Sequence, residues 1–258
     1  MVDKLKFVVA PDFAPQRMPY LQMFSTLLSK RTGVSVQQTL AMAPNEVEDA
    51  IKAGGIDLIY CNPFLALEIY ENYGYIPVLR PIGKKACDDV VIFAGAESPL
   101  TLQTIQKGMK ATCPGNLGVK TVAKYMDKKL DLNLVFETSE NLQQAIQKVL
   151  RGDADFGLYL HQTFSDLSNL AKSRLKVLDQ TDLTAEGYGD IRRVLMMKTD
   201  DTEKLNAVMS AIIGFKDDPD AGEMLEKLHV VEGFEAITQE MAGVTIANLK
   251  KMLTIANG

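Results

Sequence analysis

The chain has 258 residues and a net charge of −5, with 47% hydrophobic and 24% charged residues, which is the composition of an ordinary globular protein long enough for two lobes with cores of their own. The acidic balance, the lack of a basic cluster and the absence of Trp argue against nucleic-acid binding, and no apolar run approaches the roughly 20 residues of a membrane span. Three cysteines, Cys61, Cys87 and Cys113, are an odd count that describes no disulfide framework and leaves room for one bridge at most.

In chain order, Leu5 to Ala10 reads as a first strand, stopped by Pro11 and Pro15. Pro19 suits the first turn of a helix that runs to a stop at Gly33, and Val34 to Thr39 alternates as a short strand. Asn45 is placed to cap the next helix, with Glu48 completing a capping box, and Gly54-Gly55 ends it. Ile56 to Cys61 is a buried strand; Asn62 then caps a helix with Pro63 at its first position and Gly74 at its end. Asp89 to Ala94 is an apolar strand, and Ser98-Pro99-Leu100 opens a short helix reaching Gly108. Met109 to Cys113 is a strand, followed by the turn Pro114-Gly115-Asn116-Leu117-Gly118 and a helix to about Lys129. Leu132 to Glu137 is a strand, Thr138 or Ser139 caps a helix ending at Gly152, and Ala154 to Leu160 is a buried strand. A helix around 164–171, a strand at 175–178 and a late strand at 192–197 follow. Everything after Asp200 reads as helix: 202–215, 219–229, 233–241 and 245–253.

One pattern occurs twice. Glu46 to Ile51, Gly54-Gly55, Ile56-Asp57-Leu58-Ile59-Tyr60 and a turn to Phe64 form the first copy. Asn141 to Ile146, Gly152, Ala154-Asp155-Phe156-Gly157-Leu158-Tyr159 and a turn to Phe164 form the second. Each reads as an amphipathic helix, a glycine stop, an aspartate and a short buried strand, with one residue more between Asp and Tyr in the second copy. Two α/β lobes of similar plan follow, and strands alternating with helices predict an open, mostly parallel sheet in each. With no linker-like segment, the lobes are expected to be joined by crossing strands, at 89–94 and near 192–197. A ligand is expected in the cleft that two such lobes make, at the carboxyl ends of parallel strands.

Three helix N-termini should face that cleft: those after Asn62, after Gly115-Asn116 and after Thr138-Ser139. Such termini carry free N–H groups and partial positive charge suited to an oxyanion, although the same caps serve stability alone. Arg17, Arg192 and Arg193 offer forked donors to an anion, with a surface ion pair the better reading for one of the tandem pair. Phe13, Phe64 and Tyr159 fit either a stacking wall or the core. Cys61, Cys113 and His161 each follow a predicted strand, and free buried thiols beside an unrelated histidine are preferred over a soft-metal site. His229 falls in an amphipathic C-terminal helix and reads as structural. No catalytic motif, metal cluster or cofactor fingerprint is present.

Four segments together resemble the phosphate/phosphite/phosphonate-binding proteins of ABC transporters, within the type II periplasmic-binding-protein fold. They are Phe7 to Pro11; Ala50 to Leu58 followed by Asn62-Pro63, where the family has Gly-Pro; Cys113 to Gly118, where the family has a Ser/Thr-rich turn opening a helix; and Phe136 to Ser139 leading into Ala145-Ile146 and Gly152 to Asp155. The family's contacts fall here at Pro44 or Asn45, near Ala66, at Asn116, Leu117 and Gly118, and at Glu140. The resemblance implies an α/β protein with lobe 1 at 1–88 and 192–258, lobe 2 at 89–191 and the ligand cleft between them. The expected ligand set is Phe13, Arg17, Asn45, Asn62, Phe64, Gly115, Asn116, Leu117, Gly118, Thr138, Ser139, Glu140, Tyr159 and His161. The implied function is capture of a small anionic ligand by lobe closure, without catalysis, metal or cofactor. The implied partner is an ABC permease, the location extracytoplasmic with a leader already removed, and the state monomeric. The rivals are the input domain of a membrane sensor kinase, an enzyme of the menaquinone-pathway type using His161, Glu140 or Cys113, and the effector domain of a LysR-like regulator.

Overall fold

The computed structural model describes residues 4–11, 13, 15–41, 44–83, 90–115, 117–181 and 193–257, with backbone only at 15, 44, 45 and 117. In chain order the elements are β1 (Lys4–Val9), α1 (Met18–Thr32), β2 (Ser35–Leu40), α2 (Pro44–Ala53), β3 (Leu58–Cys61), α3 (Pro63–Tyr73) and β4 (Ile76–Pro81). There follow β5 (Val90–Gly95), β6 (Lys110–Pro114), α4 (Leu117–Leu130), β7 (Val135–Ser139), α5 (Leu142–Arg151), β8 (Phe156–Leu160), α6 (His161–Ser165), α7 (Asn169–Lys172) and β9 (Leu175–Gln180). The last are β10 (Val194–Met197), α8 (Thr202–Ile213), α9 (Gly222–Lys227), β11 (Phe234–Ala236) and α10 (Gln239–Asn257). Two compact units result: unit 1 is Met1–Cys87 with Ile191–Val244, and unit 2 is Asp88–Asp190 with Thr245–Gly258. The last stretch thus groups with unit 2, where the sequence pattern keeps 192–258 together.

Unit 1 holds a six-stranded sheet in the order β11-β4-β10-β3-β1-β2, and unit 2 a five-stranded sheet in the order β7-β6-β8-β5-β9. Both are mixed. β1, β2, β3 and β4 point one way with β10 and β11 opposed; β6, β7, β8 and β9 point one way with β5 opposed. In each, the strand that opposes the parallel set lies next to the third parallel strand, so the two sheets share one plan.

The repeated aspartate explains why. Asp57 N–H donates to Lys6 O at 2.9 Å, while Lys6 N–H donates to Asp57 Oδ2 at 2.7 Å. In unit 2, Asp155 N–H donates to Lys110 O at 2.9 Å, and Lys110 N–H donates to Asp155 Oδ2 at 2.7 Å. Each aspartate closes a two-bond ring at the amino end of a parallel strand pair and pins its register. Phe7 then meets Leu58 and Ala111 meets Phe156. Aligned this way, Cys61 rather than Tyr60 is the counterpart of Tyr159. The extra residue of the second copy therefore turns its tyrosine to the opposite face, because side chains alternate along a strand.

The unit 1 sheet is covered on both sides. Phe7, Val9, Leu58, Tyr60 and Leu195 pack with α1, α8 and α9. Val8, Ile59, Cys61, Val194 and Met196 pack with α2 and α3. Within the first layer, Phe24 meets Phe7, Phe215 and Phe234 at centroid distances of 5.6, 5.1 and 5.9 Å, and Phe234 meets Tyr60 at 6.2 Å. In unit 2, α5 covers Val91 and Phe93 with Leu142, Ala145 and Val149.

Several elements depart from the sequence-based expectation. The sequence reading assigns no element at 76–81, where β4 forms; proline is disfavoured inside a sheet, and a register shift where Pro77 faces Met196 accommodates the ring. The stretch after Gly233 is a strand, not a helix: Gly233 takes φ 84, a helix-breaking left-handed turn, and Phe234 enters the aromatic layer at 1% exposure. Conversely, α10 is one continuous helix through Gly243, whose Cβ position is open. The expected helix after Ser98 is only a 3-10 turn at Leu102–Thr104, closed locally when Thr101 N–H donates to Thr104 Oγ1 at 2.8 Å. His229 lies beyond α9 in a left-handed cap, φ 59, rather than within a helix.

Asp57 does more than close its ring: its Oδ1 also accepts from Lys204 Nζ at 2.7 Å, an ion pair that ties α8 to the sheet. Asp57→Ala is therefore expected to cost about 2–3 kcal/mol in urea unfolding and Asp155→Ala about 1–2 kcal/mol. Losses near zero for both would show that the clamps do not hold the sheets. At Gly157 an added Cβ would sit 2.4 Å from Phe93 Cζ. Gly157→Ala should cost about 1–3 kcal/mol by overpacking, with part recovered when Phe93→Leu is added.

Candidate functional site

In each unit the helices that follow parallel strands begin at the carboxyl edge of the sheet, so the sequence-predicted residues are placed there by topology. In unit 1 this edge is formed by the segments after β1 and β3 and the segment before β10, since Val194 pairs with Cys61. In unit 2 it is formed by the ends of β6, β7 and β8 and the start of β5, with Pro114 level with Ser139 and Val90 level with Leu160.

The unit 1 edge is well filled. Asn62, 5% exposed, caps α3: its Oδ1 accepts from Phe64 N–H and Leu65 N–H, both at 3.0 Å, and its carbonyl accepts from Ala66 N–H at 2.9 Å. Pro63 has no N–H to offer. The first turn of α3 is thus saturated, and the expectation that this terminus offers free donors is corrected. Phe64 is buried at 4% exposure. Asn45 lies inside α2, which starts at Pro44, so it is not the cap that the sequence predicted; its side chain is outside the described set. Phe13 packs against Tyr60, with centroids 5.2 Å apart, and carries the Arg193 guanidinium over its ring at 3.8 Å. Arg17 and Arg193 are buried at 4% and 3% exposure. Of the tandem pair, Arg193 is the buried member, and Arg192 is outside the described residues.

The unit 2 edge has a different chemistry. The cap of α5 is Asn141, not Thr138 or Ser139: its Oδ1 accepts from Gln144 N–H at 2.9 Å, while Glu140 N–H donates to Gln144 Oε1 at 2.6 Å. This reciprocal box does not use the N–H groups of Leu142 and Gln143. Ser139 is released from capping, 0% exposed, and its Oγ has no hydrogen-bond partner. Sequence reasoning missed Thr112 altogether; it is also 0% exposed with an unpartnered Oγ1, two residues before Pro114 on the same face of β6. Burial of a lone hydroxyl costs about 1–3 kcal/mol, so such groups mark strain or a partner yet to arrive. Gly115 is exposed, and its Cβ position lies 3.5 Å from Thr138 Cγ2, which brings these two predicted residues together. Thr138 O accepts from Lys148 Nζ at 3.1 Å. Gly118 is buried in the first turn of α4, Leu117 has its backbone alone described, and Asn116 lies outside the described residues.

His161 opens α6, with Nε2 at 3.1 Å from Ser165 Oγ and a buried Nδ1 that has no partner. Tyr159 packs beside the α5 core layer of unit 2, and Phe13 and Phe64 belong to unit 1. Cys61 and Cys113 are buried in β3 and β6, neither in a disulfide, and burial pushes the Cys113 thiol up to about 11. Cys87 is outside the described residues. Among the described residues no group of three or more His, Cys, Asp or Glu side chains is placed to hold a metal, and no helix is long and apolar enough to cross a membrane. A groove of about 710 Å³ in unit 2, lined by Glu97, Arg151, Gly152, Asp155 and Arg174, lies at the amino edge of the sheet. It meets the C-terminal end of α5, whose partial negative charge disfavours an anion.

The family model for the periplasmic substrate-binding protein of phosphonate ABC transporters matches residues 7–242. No curated protein matches the chain. Among solved structures it is similar to PhnD1 from Prochlorococcus marinus in complex with methylphosphonate, at 14% identity over 100% of this chain and 99% of that one, TM-score 0.82. It is also similar to PA3383 from Pseudomonas aeruginosa, a binding-protein component of an ABC phosphonate transporter, at 12% identity over 100% and 97%, TM-score 0.74. The Escherichia coli periplasmic aliphatic sulphonate binding protein SsuA follows at 14% identity over 98% and 87%, TM-score 0.67.

With the thiol of Cys113 held protonated, a disulfide reagent at pH 8 should leave Cys61 and Cys113 unmodified in a Cys87→Ser protein and titrate both in denaturant. Rapid native labelling of Cys113 would contradict its burial.

Proposed function

The chain belongs to the family of periplasmic substrate-binding proteins of phosphonate ABC transporters, and from that premise we propose that it captures a small tetrahedral oxyanion of the phosphonate class on neutral donors at the carboxyl edge of unit 2. The observation that carries this reading is Ser139, a fully buried hydroxyl with no partner, directly before a helix whose cap leaves two N–H groups unused. An oxyanion supplies the acceptor that these donors lack, and helix N-termini add favourable partial charge without a counter-ion. Around it, Gly115 follows β6, and Leu117 and Gly118 open α4, where glycine lets backbone approach a ligand closely; Asn116 belongs to the same proposed set. Thr138, Glu140 and His161 flank it, with Tyr159 contributing support from the core layer.

In unit 1, Phe13, Arg17, Asn45, Asn62 and Phe64 are the members of the expected set, at the carboxyl edge of that unit's own sheet. The likeness to PhnD1, whose structure holds methylphosphonate, supports a phosphonate-sized ligand. Binding alone suffices for this role, because the bound state differs from the free one and the permease that the family implies reads that difference. The protein acts outside the cytoplasm, as the family implies, and as a monomer.

Methylphosphonate at about 100 times its dissociation constant should add about 2.7 kcal/mol to the native state, read as a raised melting temperature. Ser139→Ala should weaken methylphosphonate binding about tenfold or more while raising the stability of the free protein by about 1–3 kcal/mol, because the buried hydroxyl makes no bond there to lose and its desolvation cost is removed. No shift with methylphosphonate, phosphate or sulfate would sink the oxyanion reading.

A further inference from the structure

Unit 2 offers the proposed oxyanion a set of donors that carries no charge. They are the Ser139 hydroxyl, buried and without a partner, and the N–H groups of Leu142 and Gln143, which the cap by Asn141 leaves unused. Between Ser139 and that cap stands Glu140. Its N–H donates to Gln144 Oε1 at 2.6 Å, which fixes its main chain against the first turn of α5. Its carboxylate is exposed and makes no hydrogen bond or ion pair with any described residue.

The charged groups on the elements around this carboxylate are committed elsewhere. Lys148 of α5 donates to Glu137 Oε2 on β7 and to the Thr138 carbonyl, both at 3.1 Å, and Arg151 stands at the far end of that helix. Lys110 and Asp155 meet at the amino edge of the sheet. Lys120 of α4 acts on the Cys113 thiol, which alternates to the face of β6 opposite Thr112 and Pro114. His161 of α6 has Nε2 at 3.1 Å from Ser165 Oγ. An oxyanion on the neutral donors therefore meets one unpaired negative charge, and the ammonium next to it, Lys148, is already bonded to Glu137. Two ionised acceptors side by side repel one another unless a proton lies between them.

We propose that Glu140 makes this site select an oxyanion that still holds a proton: the carboxylate accepts the ligand O–H, while the Ser139 hydroxyl and the N–H groups of Leu142 and Gln143 donate to its ionised oxygens. The substrate class is a phosphonate or phosphate in its monoanionic form. The excluded class is a sulphonate or sulfate, which holds no proton at neutral pH. The fold by itself does not make that choice, since similar structures include PhnD1 with methylphosphonate and the aliphatic sulphonate binding protein SsuA. Rejection comes from the unpaired carboxylate, which repels a ligand that brings no O–H to it. A carboxylate ahead of a helix also suits the helix dipole, but that role alone gives no preference between ligands. The proposal rests on the oxyanion reading of unit 2 and sets its selectivity.

Titration calorimetry on the intact protein tests it with methylphosphonate and methanesulfonate at about pH 6 and about pH 9. At the lower pH methylphosphonate, still carrying its proton, should bind at least about tenfold tighter than methanesulfonate, and raising the pH should weaken it by a similar factor. Methanesulfonate has no proton to lose, so its own pH dependence reports His161 and the other protein groups and serves as the baseline. Glu140→Gln, whose amide donates as well as accepts, should bring the two ligands within about threefold of one another and remove the difference between their pH profiles. Equal affinities for the two ligands, or an unchanged preference and pH profile in a folded Glu140→Gln protein, overturn the role of Glu140 and leave the oxyanion reading standing. Binding of neither ligand by either protein overturns the oxyanion reading and the selectivity with it.

Discussion

The hydrogen-bonded ring that an aspartate closes on the first residues of each sheet is the constraint from which the rest of the structure follows. Asp57 locks onto Lys6, and Asp155 onto Lys110, through both main chain and carboxylate. A parallel pair has no tight turn to set its register, so an external pin is needed at one end. Once Phe7 is set against Leu58 and Ala111 against Phe156, the carboxyl ends of those strands are fixed as well. Helices α1, α3, α4 and α6 follow those ends, and α5 follows β7, which is placed by its pairing with β6. The clamps sit at the amino edges, far from any proposed ligand contact, yet they decide where each contact residue can be.

At the carboxyl edges the decisive local chemistry is capping. Asn62 spends its amide oxygen on two N–H groups, and Pro63 removes a third, which turns the start of α3 into closed scaffold. Asn141 does less at α5, and by taking the cap position it leaves Ser139 buried and unpaired. Two helices that look alike in the sequence therefore present different surfaces: one inert, one able to donate. The aromatic layer of unit 1 does comparable work for charge. Phe24, Phe234, Tyr60 and Phe13 stack from the core out to the edge, and Arg193 rests on the last of them. The position of that guanidinium is thus set by packing rather than by a flexible loop.

Much of this was legible in the chain before folding. The alternation of apolar strands with capped helices, the glycine stops and the repeated helix-glycine-aspartate-strand unit determined an α/β protein of two similarly built units, because those signals act within about ten residues. The family membership was legible for the same reason: ordered short motifs survive when ligand contacts change. What the sequence did not determine was decided by long-range contacts. Pro77 and Pro81 forbid a strand locally, and only the register shift opposite Met196 makes room for β4. Phe234 prefers no particular state locally, and the aromatic layer recruits it into β11. Asn141, Ser139 and Thr138 are all competent caps in one dimension; packing at the end of β7 selected Asn141 and buried Ser139. Likewise Arg192 and Arg193 are equivalent as letters, and the strand that follows buried Arg193 against Phe13. Local hydrogen bonding and periodicity are written in neighbouring residues, whereas burial, and with it the availability of a donor or a charge, depends on what folds against it from elsewhere in the chain.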